Sequence, residues 1–395
     1  MLRQYKKILG LSLILASPSI IAAEYEINTF MTLGGAYTDN DRGSYLQSIN
    51  DNVSLEYDSK YGINLRTQVT ENLEGAAQLL ANGRNGTFEV EAEWFYASYS
   101  LGDNVRVRIG KLNLQTFLLS DYIEVGNLYP WVRPPEEVYG LNPMRNFPGV
   151  ELMHIARFGK RTTLTSQFFI GSAQVDISAA SRFKAKDGYG INFQLDTPHF
   201  TLRLGGITPV VEVSQSAVIV PDTGTGTPVF QSTGGTLNEG DRMLMLTAGY
   251  SFDISNFIGY GEYIDVTADG VTGSIFPDQT GFYATFGYQA GKFLPFFTVA
   301  SNDGESNYAP LSDPNSPAFG FQPNPLVLQD SLSIGLRYDI NDYADIKFEW
   351  KSVDPTLDPA MGANAFNAGW SIGNPGTQQT DEKYTVYSLV YDMVF

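Results

Sequence analysis

The chain contains no cysteine, so the disulfide staples on which small exported domains depend are excluded, and stability has to come from a core or from a sheet closed on itself. Histidine is nearly absent. His154 and His199 are the only two, and with no cysteine ligand cluster and no glycine-rich nucleotide fingerprint, no metal and no cofactor is expected. Charged residues make up only 17% and the balance is acidic, 43 acids against 25 bases for a net charge of −18. A basic nucleic-acid binder is thereby excluded. Long apolar runs are missing too. The run from Ile8 to Leu15 is about half of the roughly 20 residues that cross a bilayer as a helix, and no other stretch does better, so a helical membrane protein is excluded.

That one run has a recognisable setting. Arg3, Lys6 and Lys7 precede it, and Pro18 and the small residues Ala22 and Ala23 follow it, which is the layout of a secretory signal peptide. Residues 1–23 are therefore expected to be a leader and 24–395 the mature chain. Removing a leader with three bases and no acids leaves a net charge of −21.

The mature sequence is built of short segments with period-two alternation. Tyr25, Ile27, Met31 and Leu33 share one face against Glu26, Asn28 and Thr32, and Ile63 and Leu65 oppose Asn64, Arg66 and Gln68. Val90, Ala92, Trp94 and Tyr96 oppose Glu89, Glu91 and Glu93; Val105, Val107 and Ile109 oppose Arg106 and Arg108. The pattern recurs with Ile191, Phe193 and Leu195 against Asn192 and Gln194, with Leu332, Ile334, Leu336 and Tyr338 against Arg337, and with Ile346, Phe348 and Trp350 against Lys347 and Glu349. Alternation alone suits either a soluble sandwich or a membrane barrel.

The connections discriminate between the two. Turn-sized ones lie near Thr70–Asn72, Gly102–Asp103, Gly159–Lys160, Thr197–Pro198, Asp253–Ile254, Ala290–Gly291 and Ile340–Tyr343. Between them fall Thr38–Ser59, Asn113–Phe147, Ser172–Lys186, Pro209–Gly240, Thr267–Gln279, Asn302–Gln329 and Ser352–Glu382, all long, and the brief Asn82–Thr87. This predicts an all-β transmembrane antiparallel barrel of about 16 strands, short turns at one end and long loops at the other.

Asn113–Phe147 differs from the other long connections. It carries Phe117, Leu118, Leu119, Tyr122, Ile123, Leu128, Tyr129, Trp131 and Val132, too much apolar surface for water, while Pro130, Pro134 and Pro135 keep it from being a central strand. It is expected to fold inward against the barrel wall after strand 5. The loop supplies Asp121, Glu124, Glu136 and Glu137, with Arg133 and Arg145 among them; the polar strand faces supply Arg66, Arg106, Arg108, Arg203 and Arg337. Acids facing bases across a constriction set up a transverse field that acts on solutes, and the same pairs can equally clamp the loop to the wall.

Two stretches resemble known families. The chain end, with Tyr387, Leu389, Tyr391, Met393 and Phe395 at every second position, resembles the terminal aromatic signature of bacterial outer-membrane barrels, which in those proteins is read by the barrel assembly machinery. The loop after strand 5, with Tyr129 to Gly140 at its centre, resembles the inward third loop of the Gram-negative trimeric porins, although their acidic version of it has a different local sequence. The resemblance implies a homotrimer in the bacterial outer membrane, in contact with lipid and lipopolysaccharide, that passes ions and small hydrophilic solutes through a water-filled channel and is not an enzyme.

Other readings have less behind them. A substrate-specific channel of the phosphate type would carry a dense ladder of bases, whereas the bases here are mixed with acids. An outer-membrane hydrolase needs a Ser, His and acid set, but His199 sits beside a turn and His154 in a strand with no serine near it in sequence. A secreted β-rich adhesin has no use for the aromatic terminus. Asp303 and Asp313 could hold calcium, though solvated loops commonly carry such residues.

Overall fold

The computed structural model describes residues 24–40, 45–46, 49–84, 86–142, 144–178, 181–215, 218–219, 231–232, 235–237, 239–305, 307, 309–312, 315–317, 328–356 and 382–395. The expected leader, residues 1–23, lies outside them, as do Asp313 and most of the connections 216–242 and 357–383.

Alternating segments become the strands β1 (Glu24–Thr38), β2 (Lys60–Thr70), β3 (Leu73–Asn82), β4 (Val90–Ser100), β5 (Val105–Asn113), β6 (Asn146–Phe158), β7 (Thr162–Ser178) and β8 (Ser181–Asp196). They continue as β9 (Phe200–Gln215), β10 (Met243–Ile254), β11 (Phe257–Ala268), β12 (Asp278–Tyr288), β13 (Phe293–Glu305), β14 (Leu328–Asn341), β15 (Ala344–Thr356) and β16 (Tyr384–Val394). Each strand pairs antiparallel with the next, and β16 returns to pair with β1 from Phe30↔Val394 to Thr38↔Val386. The sixteen strands thus form a closed barrel. Short pieces add to it at the loop end: Gly235–Leu237 extends the ladder of β9, and Val218–Ile219 pairs with Gln231–Ser232.

The two faces of each strand part as the alternation requires. Leu204, Ile109 and Ile334 point outward and are 60%, 57% and 54% exposed, whereas Asn192, Lys347 and Ser388 point inward and are buried. This is an apolar wall around a polar interior, inverted relative to a soluble domain. The turn-end connections are tight throughout, and both ends of the barrel chain lie on that side.

Four expectations need correction. The β4 alternation does not run through: the register shifts between Gln78 and Leu79 of β3, leaving Glu93 unpaired as a bulge. Beyond it the phase inverts, so that Trp94 is buried inside, Tyr96 packs against the interior cluster, and Phe95 and Tyr99 take the outer face. Ser172–Lys186 is not a long loop. A bulge in β8, which sets Lys186 and Asp187 opposite the single Ser172 of β7, and a second shift that leaves Ile177 of β7 unpaired, carry the pairing of β7 with β8 up to Ser178↔Ser181. The Asp253–Ile254 turn lies two residues later, at Ser255 and Asn256, where Ser255 takes a left-handed φ of 60°. Asp303 is paired within β13, opposite Thr280 of β12.

The outer wall supplies a direct test. Ile334 sits midway along β14 beside Phe297 and Trp350 on its neighbours, and Ile334→Arg is expected to destabilise the barrel by about 2–4 kcal/mol, the cost of a base at mid-bilayer. Urea titration of the protein refolded in lipid vesicles measures it, and an unchanged midpoint would mean that this face does not meet lipid.

Candidate functional site

The segment leaving β5 has no ladder of its own. It contains one 3-10 turn, Gly126–Leu128, and one helical turn, Glu136–Tyr139, and its prolines withhold donors where a strand would need them. Its large side chains Leu119, Tyr129, Trp131 and Val138 are nonetheless fully buried, in one cluster with Tyr283, Phe296 and Ala300 of the barrel strands. Trp131 Nε1 donates to Thr285 Oγ1 at 3.0 Å and to Thr298 Oγ1 at 2.9 Å, on β12 and β13, and its ring meets Tyr260 and Tyr283 edge-on at 4.9 and 5.6 Å. The loop therefore lies within the barrel.

A backbone without a ladder still has to satisfy its polar groups, and inward side chains of the far wall do it. The Leu118 N–H donates to Glu262 (2.7 Å) and the Val132 N–H to Glu349 (3.0 Å). Lys347 Nζ donates to the Gly126 carbonyl (2.5 Å), Arg337 to the Asn127 carbonyl (2.7 Å), and Thr247 to the Thr116 carbonyl (2.9 Å). At Gly126 the fit is so close that a Cβ would stand 2.1 Å from an Asp392 carboxylate oxygen. Only glycine passes there.

The loop acids and bases divide by environment. Glu124 is gripped by Lys60 Nζ (3.2 Å), by both terminal nitrogens of Arg84 (3.0 and 3.0 Å) and by Arg145. Burial alone would push its carboxyl up, but Arg84, Lys60 and Arg145 outweigh burial and hold it well below the usual carboxylate range. Glu137 is fully buried, accepting from Lys351 and from Gln329 Nε2 (2.7 Å). Arg133 pairs with Asp58 and reaches Ser388. Asp121 is exposed and accepts from Gln115, and half-buried Glu136 lines the space between the loop and β1–β3 together with Arg84 and Arg145. Burial pushes the Glu136 carboxyl up, and Lys351, Arg145 and Arg133 offset only part of that.

Wall arginines divide likewise. Arg337 joins the loop to Asp339 (2.7 Å) and Asp345 (3.3 Å), and Arg203 reaches the loop through Gln115 Oε1 (2.8 Å) while also donating to Gln194 (3.2 Å). Arg108 does not touch the loop: it forms a two-pronged bond with Glu151 of β6 (2.8 and 2.8 Å) beneath the face of Tyr96. Arg106, one inward position nearer the turns, is exposed. Arg66 lies near the turn end, 3.7 Å from Glu74.

The clamp therefore includes residues outside the sequence-derived set: Lys60, Arg84, Lys351, Glu262, Asp345 and Asp392. Lys347 and Glu349 were legible as inward by parity. Lys60 and Arg84 stand at a strand start and in a short connection, where parity says nothing.

Glu124→Gln tests this clamp. Breaking a buried pair on one side costs about 3 kcal/mol, towards the low end because Arg145 and Arg84 are partly solvated. Since the folded carboxyl titrates below its unfolded value, its contribution is complete above about pH 5 and is lost only as the pH falls through the lower folded value. Wild type should thus lose stability on acidification below that range, and the variant should lack this component; equal acid profiles of thermal unfolding would discount the clamp.

No family model matches the chain, and no curated protein matches its sequence. Solved structures do. A channel of Acinetobacter baumannii, the outer membrane channel DcaP, aligns with a TM-score of 0.58 at 11% identity, covering 94% of this chain and 97% of the other. The anion-selective porin from Comamonas acidovorans aligns at 0.57 and 11% identity over 94% of this chain and 100% of its own, and OmpT, an outer membrane protein of Vibrio cholerae, at 0.56 and 10% identity over 94% and 98%. At such identities the likeness speaks for the fold, and it agrees with strand number, closure and turn asymmetry: the chain has the sixteen-stranded barrel fold of the outer-membrane porins.

Proposed function

We propose that the protein is a porin of the bacterial outer membrane, through which ions and small hydrophilic solutes diffuse in a water-filled lumen narrowed by the 113–147 loop. The observation that carries this reading is the anchoring of the loop: Trp131, Leu118 and Val132 are bonded to inward groups of β11, β12, β13 and β15, across the interior from the strand that launches it. A barrel of sixteen strands is too wide for its own side chains to fill, so the loop sets the narrowest section. Most of its charges are spent in pairs. The filtering charges in this reading are those that keep contact with the lumen: exposed Asp121 and Arg106, half-buried Glu136, and Arg145, which stays partly solvated while pairing with Glu124. Glu137 and Arg108 act as clamps. Homotrimer assembly fits this reading, since OmpT is known in a trimer form. A hydrolytic function gains no support from the histidines. His154 shares the outer face of β6 with Leu152, and His199 bonds the Asp253 carbonyl at a turn.

Planar-bilayer recording of the purified protein tests the channel. Deleting part of the 119–139 segment should raise single-channel conductance. Glu136→Gln should move the reversal potential in a salt gradient towards anions and Arg106→Gln towards cations, each by up to about fivefold in permeability ratio, the scale of one unit charge acting through water at a few ångströms. Unchanged conductance and unchanged selectivity together would remove the loop from the channel.

The chain end supports an assembly role in the same reading. Leu389 and Phe395 are exposed on the outer wall, while Val386, Ser388, Val390 and Asp392 turn inward. Phe395→Asp should leave export intact but reduce the heat-modifiable, membrane-inserted form; normal surface levels of that variant would refute the role.

A further inference from the structure

At the loop end of the seam three inward positions are apolar and buried: Ala36 of β1, Val353 of β15 and Val386 of β16. They form a cluster apart from the one under the 113–147 loop, and an uncovered polar lumen would leave them wetted. The first connection covers them. It leaves β1 still bonded to β16, the Asp39 N–H donating to the Thr385 carbonyl at 3.1 Å. Tyr45 and Ile49 then bond each other through both backbone groups, at 2.7 and 3.0 Å, and bury their side chains in that cluster. The turn between them is tight enough to put Leu46 at a left-handed φ of 49°. On the way back, the Asn50 carbonyl accepts from Thr38 at 2.8 Å, and Ser54 bonds Ala36 at 2.8 and 2.9 Å. The described part of this segment is thus a strap laid over the inside of the seam and fixed to the strands at both ends.

The strap grips the constriction loop through Arg133. That guanidinium pairs with Asp58 at the end of the strap and stands 5.8 Å over the ring of Tyr45 at its turn. Lys351, which holds Glu137 of the same loop, donates to the Tyr45 hydroxyl at 3.1 Å and stands 5.5 Å over the same ring. One aromatic ring therefore attracts two bases that would otherwise only repel each other, and Tyr384 steadies it edge-on at 6.4 Å. Asp58 reaches Arg133 because the neighbouring strand residue is a glycine: a Cβ on Gly34 would stand 2.3 Å from the Asp58 Cβ. The other side chain bonded to Arg133 is the neutral Ser388, so without Asp58 a guanidinium only 12% exposed has no counter-charge among its bonded partners.

We propose that the first connection, residues 39–59, is a second inward element of the channel, in which Tyr45 and Asp58 are positioning residues that fix the 113–147 loop through Arg133 and Lys351. The role of that loop in conduction rests on the porin reading; its position does not.

The chain has no cysteine of its own, so spin labels can be placed at will on the full-length protein refolded in lipid vesicles. Labels at Leu128→Cys on the loop and Lys160→Cys at a turn, both exposed positions, report loop position by double electron–electron resonance. The labelled parent should give one narrow distance. Asp58→Ala and Tyr45→Leu should each add a second, broad distance from an undocked loop, while Tyr45→Phe, which keeps the ring, should retain the parent distance. Asp58→Ala combined with Arg133→Met should undock the loop no further than either alone, because both remove one pair; additive effects would overturn the role of Asp58. Heat-modifiable migration establishes that each variant is folded; should Asp58→Ala fail there, Tyr45→Leu against Tyr45→Phe carries the test. A parent distance kept in both Asp58→Ala and Tyr45→Leu overturns the strap. Single-channel recording of the same variants separates the two readings: a loop that moves while conductance stays fixed supports the strap and counts against the loop as the constriction.

Discussion

Hydrocarbon offers no water to an unpaired amide, and a sheet that spans it has to close. The rest of this structure depends on the pairing of β1 with β16. It joins residues at the two ends of the barrel sequence and is finished by Thr29 and Phe395, whose backbone groups bond each other at 2.8 and 2.9 Å. Once the ring is closed, alternation has no freedom left. Apolar residues face lipid, and the polar set faces an interior that sixteen strands make too wide to fill. An apolar loop with nowhere to go in water finds its wall there.

Such a loop is difficult to hold. It has neither helix nor ladder to absorb its amides and carbonyls, and an apolar wall would leave them unpaired at a cost of about 1–3 kcal/mol each. The far wall answers with long polar side chains aimed at main-chain atoms: Glu262, Glu349, Lys347 and Arg337 each bond a loop amide or carbonyl. Charges introduced for that purpose have to be balanced in turn, which accounts for the pairing of Lys347 with Asp392 (2.9 Å) and of Arg337 with Asp345. Ion pairs of this kind add little net stability, because desolvation offsets most of their attraction. They select one docked position over others.

Architecture was legible in the sequence because period two, tight turns and aromatic ends are local properties. Strand number, the inward arginines at 106, 108, 203 and 337, and the outward set at 387–395 all follow from counting. Counting failed where a single extra residue resets the phase. Glu93 does this before Trp94, and the same device at Asp187 made two paired strand ends read as a loop. The candidate site was less legible for a different reason. A run of acids and arginines states that pairs can form but not which, and pairing decides whether a charge meets solutes or is sealed. Glu136 and Glu137 are adjacent in sequence, yet the helical turn leaves one half-buried at the edge of the space beside Arg84 and Arg145 and sends the other onto Lys351.

The close pass of Gly126 over Asp392 has a consequence for the order of events. Asp392 belongs to the last strand, accepts from Thr32 of the first and pairs with Lys347 of the one before it, so the seat of this glycine is assembled from both sides of the seam. Before the terminal strand has zipped to the first, that seat does not exist. A segment from the first third of the chain thus takes its seat on groups that only the closed seam brings together, so its docked position is tied to a complete ring.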